Sequence, residues 1–158
     1  MKKIFLVLIV SLILVFIENS FSYEFLGRML NPSLILALSF AFVLTGDDKL
    51  ALFTGLFGGI FTDFIGTWVI GSSSTFFVVS IYISIILKTT MFKGKVFQLV
   101  LITLCTLFYK FIFNLADFNF SLSYILGAAL TMLCSSIFFY VISKISTKYL
   151  STEYRIKA

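Results

Sequence analysis

The chain has 158 residues, of which 60% are hydrophobic and 12% charged, whereas soluble domains average about 45 to 50% apolar and about 25% charged residues. This composition excludes an ordinary water-soluble domain and predicts one integral membrane domain over residues 1–158. The sequence contains no histidine, which removes the commonest metal ligand and general base. The net charge of +5 comes from residues at the ends of apolar segments, where membrane orientation explains them without nucleic acid.

Apolar runs separated by polar breaks predict six transmembrane helices, and therefore an all-α bundle. The predicted spans cover approximately residues 4–21, 32–44, 50–70, 75–87, 96–113 and 122–142. Because a spanning helix needs about 20 residues, the second and fourth spans are short, and we expect them to tilt less or to be partly irregular.

Six crossings put both chain termini on one side of the membrane, and the positive-inside rule identifies that side as the cytoplasm. The basic residues on the side of the termini are Lys2, Lys3, Lys49, Lys88, Lys93, Lys95, Lys144, Lys148, Arg155 and Lys157. Arg28 is the only basic residue in the loops on the opposite side. The sequence therefore predicts a multi-pass protein with cytoplasmic termini.

The first span also fits a secretory signal, because Lys2 and Lys3 precede it and Ser20-Phe21-Ser22 offers a small-residue cleavage site. Glu18 and Asn19 interrupt the approach to that site, and another apolar span follows it. We expect this segment to remain as the first helix.

The third span has a face of small residues. On a helix, Gly55, Gly58, Gly59, Thr62, Asp63 and Gly66 fall within an arc of about 140°. Small residues at this spacing let helix backbones approach closely, either within one protein or against the transmembrane helix of a partner. The sequence leaves both roles open.

Asp63 is the residue of that face that most needs a partner, because a lone carboxylate at membrane depth is costly. Asp63 lies about 13 residues past Leu50 and Lys110 about 14 residues past Val96, so both reach about 20 Å from the inner edge. We predict an ion pair between Asp63 and Lys110, with Glu18 as a competitor for the lysine. Alternatively, Lys110 extends to the outer interface and Asp63 bonds to local hydroxyls such as those of Thr62 and Thr67.

The remaining reactive groups favour scaffold roles. Cys105 and Cys134 stand singly in separate apolar runs, where a free cysteine behaves as a small hydrophobe. The serines at positions 72–74 follow Gly71 without a nearby base, so a nucleophile would lack its activating partner. Pro32 opens the second span, where proline loses no needed hydrogen bond. We predict no catalytic, cofactor-binding or metal-binding residue.

The motif of Pro32 after Asn31, followed by Gly55-x3-Gly59-x3-Asp63-x7-Gly71, resembles the MreD family of rod shape-determining membrane proteins. The resemblance covers nearly the whole chain in length and six-span layout, but its specific part is the stretch from residue 31 to residue 71. Within it, the positions that match are Pro32, Gly55, Gly59, Asp63 and Gly71. The resemblance implies that they maintain the fold or form a partner-facing surface.

Membership of this family would imply a non-enzymatic part of the cell-elongation complex in the bacterial inner membrane. Such a protein binds MreC, and through it connects to cytoskeletal MreB and to the RodA and penicillin-binding synthases of sidewall peptidoglycan. The family fold is similar to the substrate-binding subunits of energy-coupling-factor vitamin transporters, which makes such a subunit the alternative. Residues 4–17 of the first span are bulky, whereas a transporter subunit would need small residues there. An intramembrane enzyme would have only Asp63, Glu18 and Lys110 as reactive groups.

Overall fold

The computed structural model describes residues 2–20, 24–25, 28–29, 32–65, 70–90, 95–113 and 122–156, and side chains over 4–20, 32–65, 70–88, 100–109, 111 and 125–144. The helices in these ranges are α1 Lys2–Ser20, α2 Leu34–Thr45, α3 Asp48–Ile65, α4 Ser72–Thr90, α5 Lys95–Phe113 and α6 Leu122–Ile156. Two short strands, β1 Glu24–Phe25 and β2 Arg28–Met29, pair antiparallel between α1 and α2. The prediction of a six-helix, essentially all-α chain is confirmed for the described residues.

The helix bounds differ from the predicted spans most at the end of α6, and also around α3 and α4. This helix begins at Ser72 rather than at residue 75 and extends to Thr90, because its first turn is held by hydrogen bonds that hydropathy does not report. Helix α3 ends at Ile65, and Ile70 lies in a turn rather than inside the third span. Helix α6 continues to Ile156, well past the predicted end at 142.

Helix α2 forms the centre of the bundle. It has only 12 residues, and it contacts each of the other five helices. Every side chain from position 35 to position 43 is buried. A helix that is apolar all round is stable only when it is enclosed on all sides, and the five longer helices around α2 provide that enclosure.

The contacts of α3 define two ends of the bundle. Gly46 ends α2 in the left-handed conformation, with φ of 90°, and its N–H contacts the carbonyls of Phe42 and Val43, so α3 turns back along α2. Further along α3, Gly59 meets Ser74 at the start of α4. Helices α2 and α4 therefore begin at the end where α3 finishes. We call this the acid end, after Glu18 and Asp63, and the opposite end the lysine end, after Lys88.

One helical segment in the described part of the chain, Ile125–Lys144, is long and apolar enough to cross a membrane. Only 22% of it is buried inside the protein, so it is not the enclosed core helix of a soluble domain. Within the described residues, shorter apolar helical segments cover Ile4–Ser20, Leu34–Thr45, Ser72–Lys88 and Val100–Tyr109.

Candidate functional site

The carboxylate of Asp63 accepts hydrogen bonds from the first turn of α4. Its Oδ2 lies 2.9 Å from the backbone nitrogen of Gly71 and 3.4 Å from that of Ser74. Its Oδ1 lies 3.0 Å from the backbone nitrogen of Ser73 and 3.4 Å from the hydroxyl of Ser72. Asp63 is only 2% exposed, so its partners are these donors from α4 rather than water.

This arrangement pairs two sets of groups that are each costly when left unpaired. The first amides of a helix have no intrahelical acceptor, and they concentrate the positive end of the helix dipole. A buried carboxylate needs donors or positive charge. Gly71 makes the contact possible because its φ of 98° turns the chain into α4 in a conformation that favours glycine. Asp63 thus joins the end of α3 to the start of α4.

Glu18 does the same for α2. Its Oε2 accepts hydrogen bonds from the backbone nitrogens of Leu34 at 3.0 Å and Ile35 at 3.5 Å. The N-cap residue Ser33 makes no capping bond with its own side chain. The carboxylate of α1 therefore takes the place of the usual local cap. Pro32 is buried and precedes this N-cap, so it lies just outside α2 rather than in its first turn.

Each capped helix start is also tied to a third helix. The hydroxyl of Ser73 lies 3.1 Å from that of Tyr109 in α5, and the Tyr109 ring packs 5.0 Å from that of Phe77. The backbone nitrogen of Ser33 donates to the Thr131 hydroxyl in α6 at 3.1 Å. Polar contacts at the acid end consequently involve all six helices, through two junctions: α1 with α2 and α6, and α3 with α4 and α5.

The glycines of α3 are packed against neighbouring helices of the same chain. A Cβ at Gly59 would lie 2.3 Å from Ser74 Cα, and one at Gly58 would lie 2.3 Å from Ile35 Cγ2. At Gly55 the nearest atom would be Ile81 Cδ1, also at 2.3 Å. Of the two roles left open by the sequence, these three positions pack internally, and α2 and α4 occupy the space that a partner helix would need.

Several predicted partners of Asp63 are not among its described contacts. The Lys110 side chain lies outside the described residues, so the predicted ion pair between Asp63 and Lys110 stays a prediction. Gly66 and Thr67 also lie outside the described residues. The Thr62 hydroxyl donates to the carbonyl of Gly58 at 2.9 Å, which makes an intrahelical bond rather than a bond to Asp63.

The lysine end shows the opposite charge arrangement. The Lys88 ammonium, near the end of α4, donates to the carbonyl of Val43 in the last turn of α2. It also lies 3.9 Å from Asp48 at the start of α3. A cation at the C-terminus of a helix and an anion at its N-terminus both complement the helix dipole. The central helix α2 thus has Glu18 at its positive end and Lys88 at its negative end.

The geometry at the acid end joins helices rather than presenting reactive groups. Both carboxylates accept hydrogen bonds from backbone amides, and the described side chains include no group of three or more His, Cys, Asp or Glu that could hold a metal ion. No family model, no curated protein and no solved structure matches this chain.

Sequence reasoning selected Asp63 and Glu18 but missed their partners. The signal for Asp63 was present, since Gly71 and the serines at 72–74 form a helix-start pattern a few residues downstream. Those serines were considered only as nucleophiles. The partner of Glu18 had no comparable signal, because 16 positions and the β1–β2 pair separate it from Leu34.

Proposed function

We propose that this protein is a six-span scaffold of the bacterial inner membrane that acts in the cell-elongation complex, as its resemblance to the MreD family implies. The observation that carries the proposal is that the motif positions lie where described helices meet one another. Gly55 and Gly59 hold α4 against α3, and Asp63 binds the amide of Gly71. Pro32 precedes the helix start that Glu18 caps. The motif thus has a shared structural purpose.

The membrane location draws support from the outward faces of the helices. Large apolar side chains are widely exposed, including Phe5 of α1, Phe64 of α3 and Leu133 of α6, at 67%, 67% and 61%. Water-soluble proteins seldom expose extended apolar surface, whereas lipid favours it. An even number of crossings agrees with the basic residues that lie on the side of both termini.

The scaffold role draws support from how the charged side chains are used. Glu18, Asp63 and Lys88 all bind helix ends, so these three charged side chains join helices within the protein. In this proposal MreC binds an outward helix face, since α2 and α4 cover the glycine face of α3. MreB, RodA and the penicillin-binding transpeptidase belong to the same complex, with no cofactor required.

Depletion of the protein in its own rod-shaped host tests the proposal. We expect the cells to become round and the elongation machinery to disperse, and plasmid-borne wild type should restore the rods. Asp63→Ala should restore them poorly because it removes the acceptor for the start of α4. Asp47→Asn is the matched control, because Asp47 is an exposed acid directly before α3 and asparagine caps a helix start about as well as aspartate, and it should restore rods fully.

Depletion and co-purification together distinguish a scaffold from the substrate-binding subunit of a transporter. Co-purification of tagged MreC with wild type would support the scaffold, and its loss with Asp63→Ala at equal protein level would connect the fold to the complex. Normal rods together with lost uptake of a vitamin would overturn the proposal and favour the substrate-binding subunit of a vitamin transporter.

A further inference from the structure

The start of α2 contains a capping side chain that is not used as a cap. Ser33 is the N-cap residue, and its backbone is extended, with φ of −85° and ψ of 91°, as is typical of capping serines. The residue is only 2% exposed, yet its hydroxyl has no hydrogen-bond partner among the described residues. Because an unpaired buried polar atom is costly, this hydroxyl would gain a hydrogen bond in a second arrangement of the helix start.

The acceptor that takes the place of Ser33 comes from another helix. Glu18 of α1 binds the first two amides of α2, those of Leu34 at 3.0 Å and Ile35 at 3.5 Å. The third amide, that of Leu36, has no acceptor among the described residues. An N-cap side chain ordinarily binds the second or third amide of its helix. The amides within reach of a capping Ser33 are thus the ones that Glu18 holds at the longer distance or does not bind.

Helix α1 also has an unpaired buried hydroxyl in its packed face. Val7, Ser11 and Val15 follow one another at intervals of four residues, so they share one face of the helix, and all three are buried. The Ser11 hydroxyl has no hydrogen-bond partner among the described residues. Its loss of hydration is therefore not compensated, which weakens the packing of α1 against its neighbours α2 and α3.

We propose that the start of α2 exchanges caps. Glu18 binds it while α1 is docked, and the Ser33 hydroxyl binds it when the end of α1 moves away. Since the backbone of Ser33 is already that of an N-cap residue, the exchange requires a change of side-chain rotamer. Helix α2 then keeps its first turn after Glu18 has left, so α1 can separate from the start of α2 without unwinding it. This inference does not depend on the proposed scaffold role.

A double-mutant cycle on the full-length protein in detergent micelles tests the exchange, with the unfolding constant taken from denaturant titration. Ser33→Ala alone should change this constant by less than about twofold, because the hydroxyl is not bonded while Glu18 is in place. Glu18→Ala alone should raise it about fivefold, and the two together about 25-fold or more. The combined effect exceeds the product of the single effects because the amides then lose both acceptors.

Ser39→Ala is the matched control. Ser39 is another buried serine of α2, but its hydroxyl is already bonded to the carbonyl of Ile35 at 2.8 Å. Combined with Glu18→Ala, it should give only the product of the two single effects. The same simple product for Ser33→Ala with Glu18→Ala would overturn the exchange of caps. A single Ser33→Ala effect as large as that of Glu18→Ala would also overturn it, because Ser33 would then act while Glu18 is bound.

Thiol labelling measures whether α1 separates. Ser11→Cys places a thiol in the packed face of α1, in a protein whose native Cys105 and Cys134 are replaced by alanine. We expect slow labelling by a small thiol reagent when Glu18 is present and severalfold faster labelling with Glu18→Ala, because α1 then loses its contact with the start of α2. An unchanged labelling rate would show that Glu18 does not hold α1 in place, which would overturn the inference.

Hydrogen exchange of the Ile35 and Leu36 amides, measured in the same detergent, reports on the start of α2. With Glu18→Ala alone, their protection should change by less than about twofold, because Ser33 replaces the lost acceptor. With Glu18→Ala and Ser33→Ala together, the protection should be lost. If Glu18→Ala alone removes it in step with faster labelling, α1 and the start of α2 open as one unit, and the proposed exchange is wrong.

Discussion

The two acid-capped helix starts have the same design but are not held equally firmly. Asp63 receives three backbone donors and a hydroxyl, and it is almost completely buried. From the described residues, Glu18 receives the backbone donors of Leu34 and Ile35, the second at 3.5 Å, and it is half-buried. The difference follows from chain length, because a short connection after α3 returns α4 directly to its acid, whereas α2 returns to α1 after a longer excursion. A helix start that lies close to its acid in the sequence can contact the carboxylate more tightly.

Asp63→Ala should have the largest effect on this comparison. It leaves the buried amide of Ser73 and the part-buried amides of Gly71 and Ser74 without their acceptor, and we expect the free energy of unfolding to fall by about 3 kcal/mol. Denaturant titration of the purified protein in detergent measures it. Asp63→Asn keeps one acceptor oxygen and should lie between wild type and alanine. A loss no greater than that of Asp47→Asn, directly before α3, would contradict the capping role.

Gly59→Ala tests how closely α3 packs against α4 at the helix start that Asp63 caps. The new Cβ would lie 2.3 Å from Ser74 Cα and 2.7 Å from Ser74 N, so backbone must move, and we expect a loss of about 2 kcal/mol. Gly55→Ala is the matched control, because its nearest contact is the flexible tip of Ile81. Alanine also gains about 1 kcal/mol in helix propensity, so this control should remain near wild type. Equal losses at both positions in the same titration would refute the close α3–α4 contact at Ser74.

Glu18→Ala should have the smallest effect of the three. Replacement of a capping acceptor typically costs about 1 kcal/mol, and two described backbone amides, those of Leu34 and Ile35, lose their acceptor here, against three at Asp63. The same titration measures the loss, with Glu18→Gln as the variant that retains an acceptor. A loss as large as that of Asp63→Ala would remove the distinction between the two helix starts.

The sequence predicted the helix count and singled out both acids because apolar runs and intramembrane charges are strong signals. It did not predict the partner of Asp63. A comparison of the depths of two residues along their spans overlooks a helix start that lies only a few residues away in the sequence. It could not predict that α2 is central. In a chain where every helix is largely apolar, an all-apolar run does not distinguish a helix facing protein from one facing lipid.

The burial of α2 affects how the chain must assemble. A helix whose side chains at positions 35–43 are all buried is fully covered only after its neighbours have packed around it. Because α6 follows the other described helices in the chain and supplies Thr131 to the start of α2, the centre of the bundle stays uncovered on one side until α6 has been made. The core of the bundle is therefore completed by its C-terminal described helix and not by the helices beside α2 in the sequence.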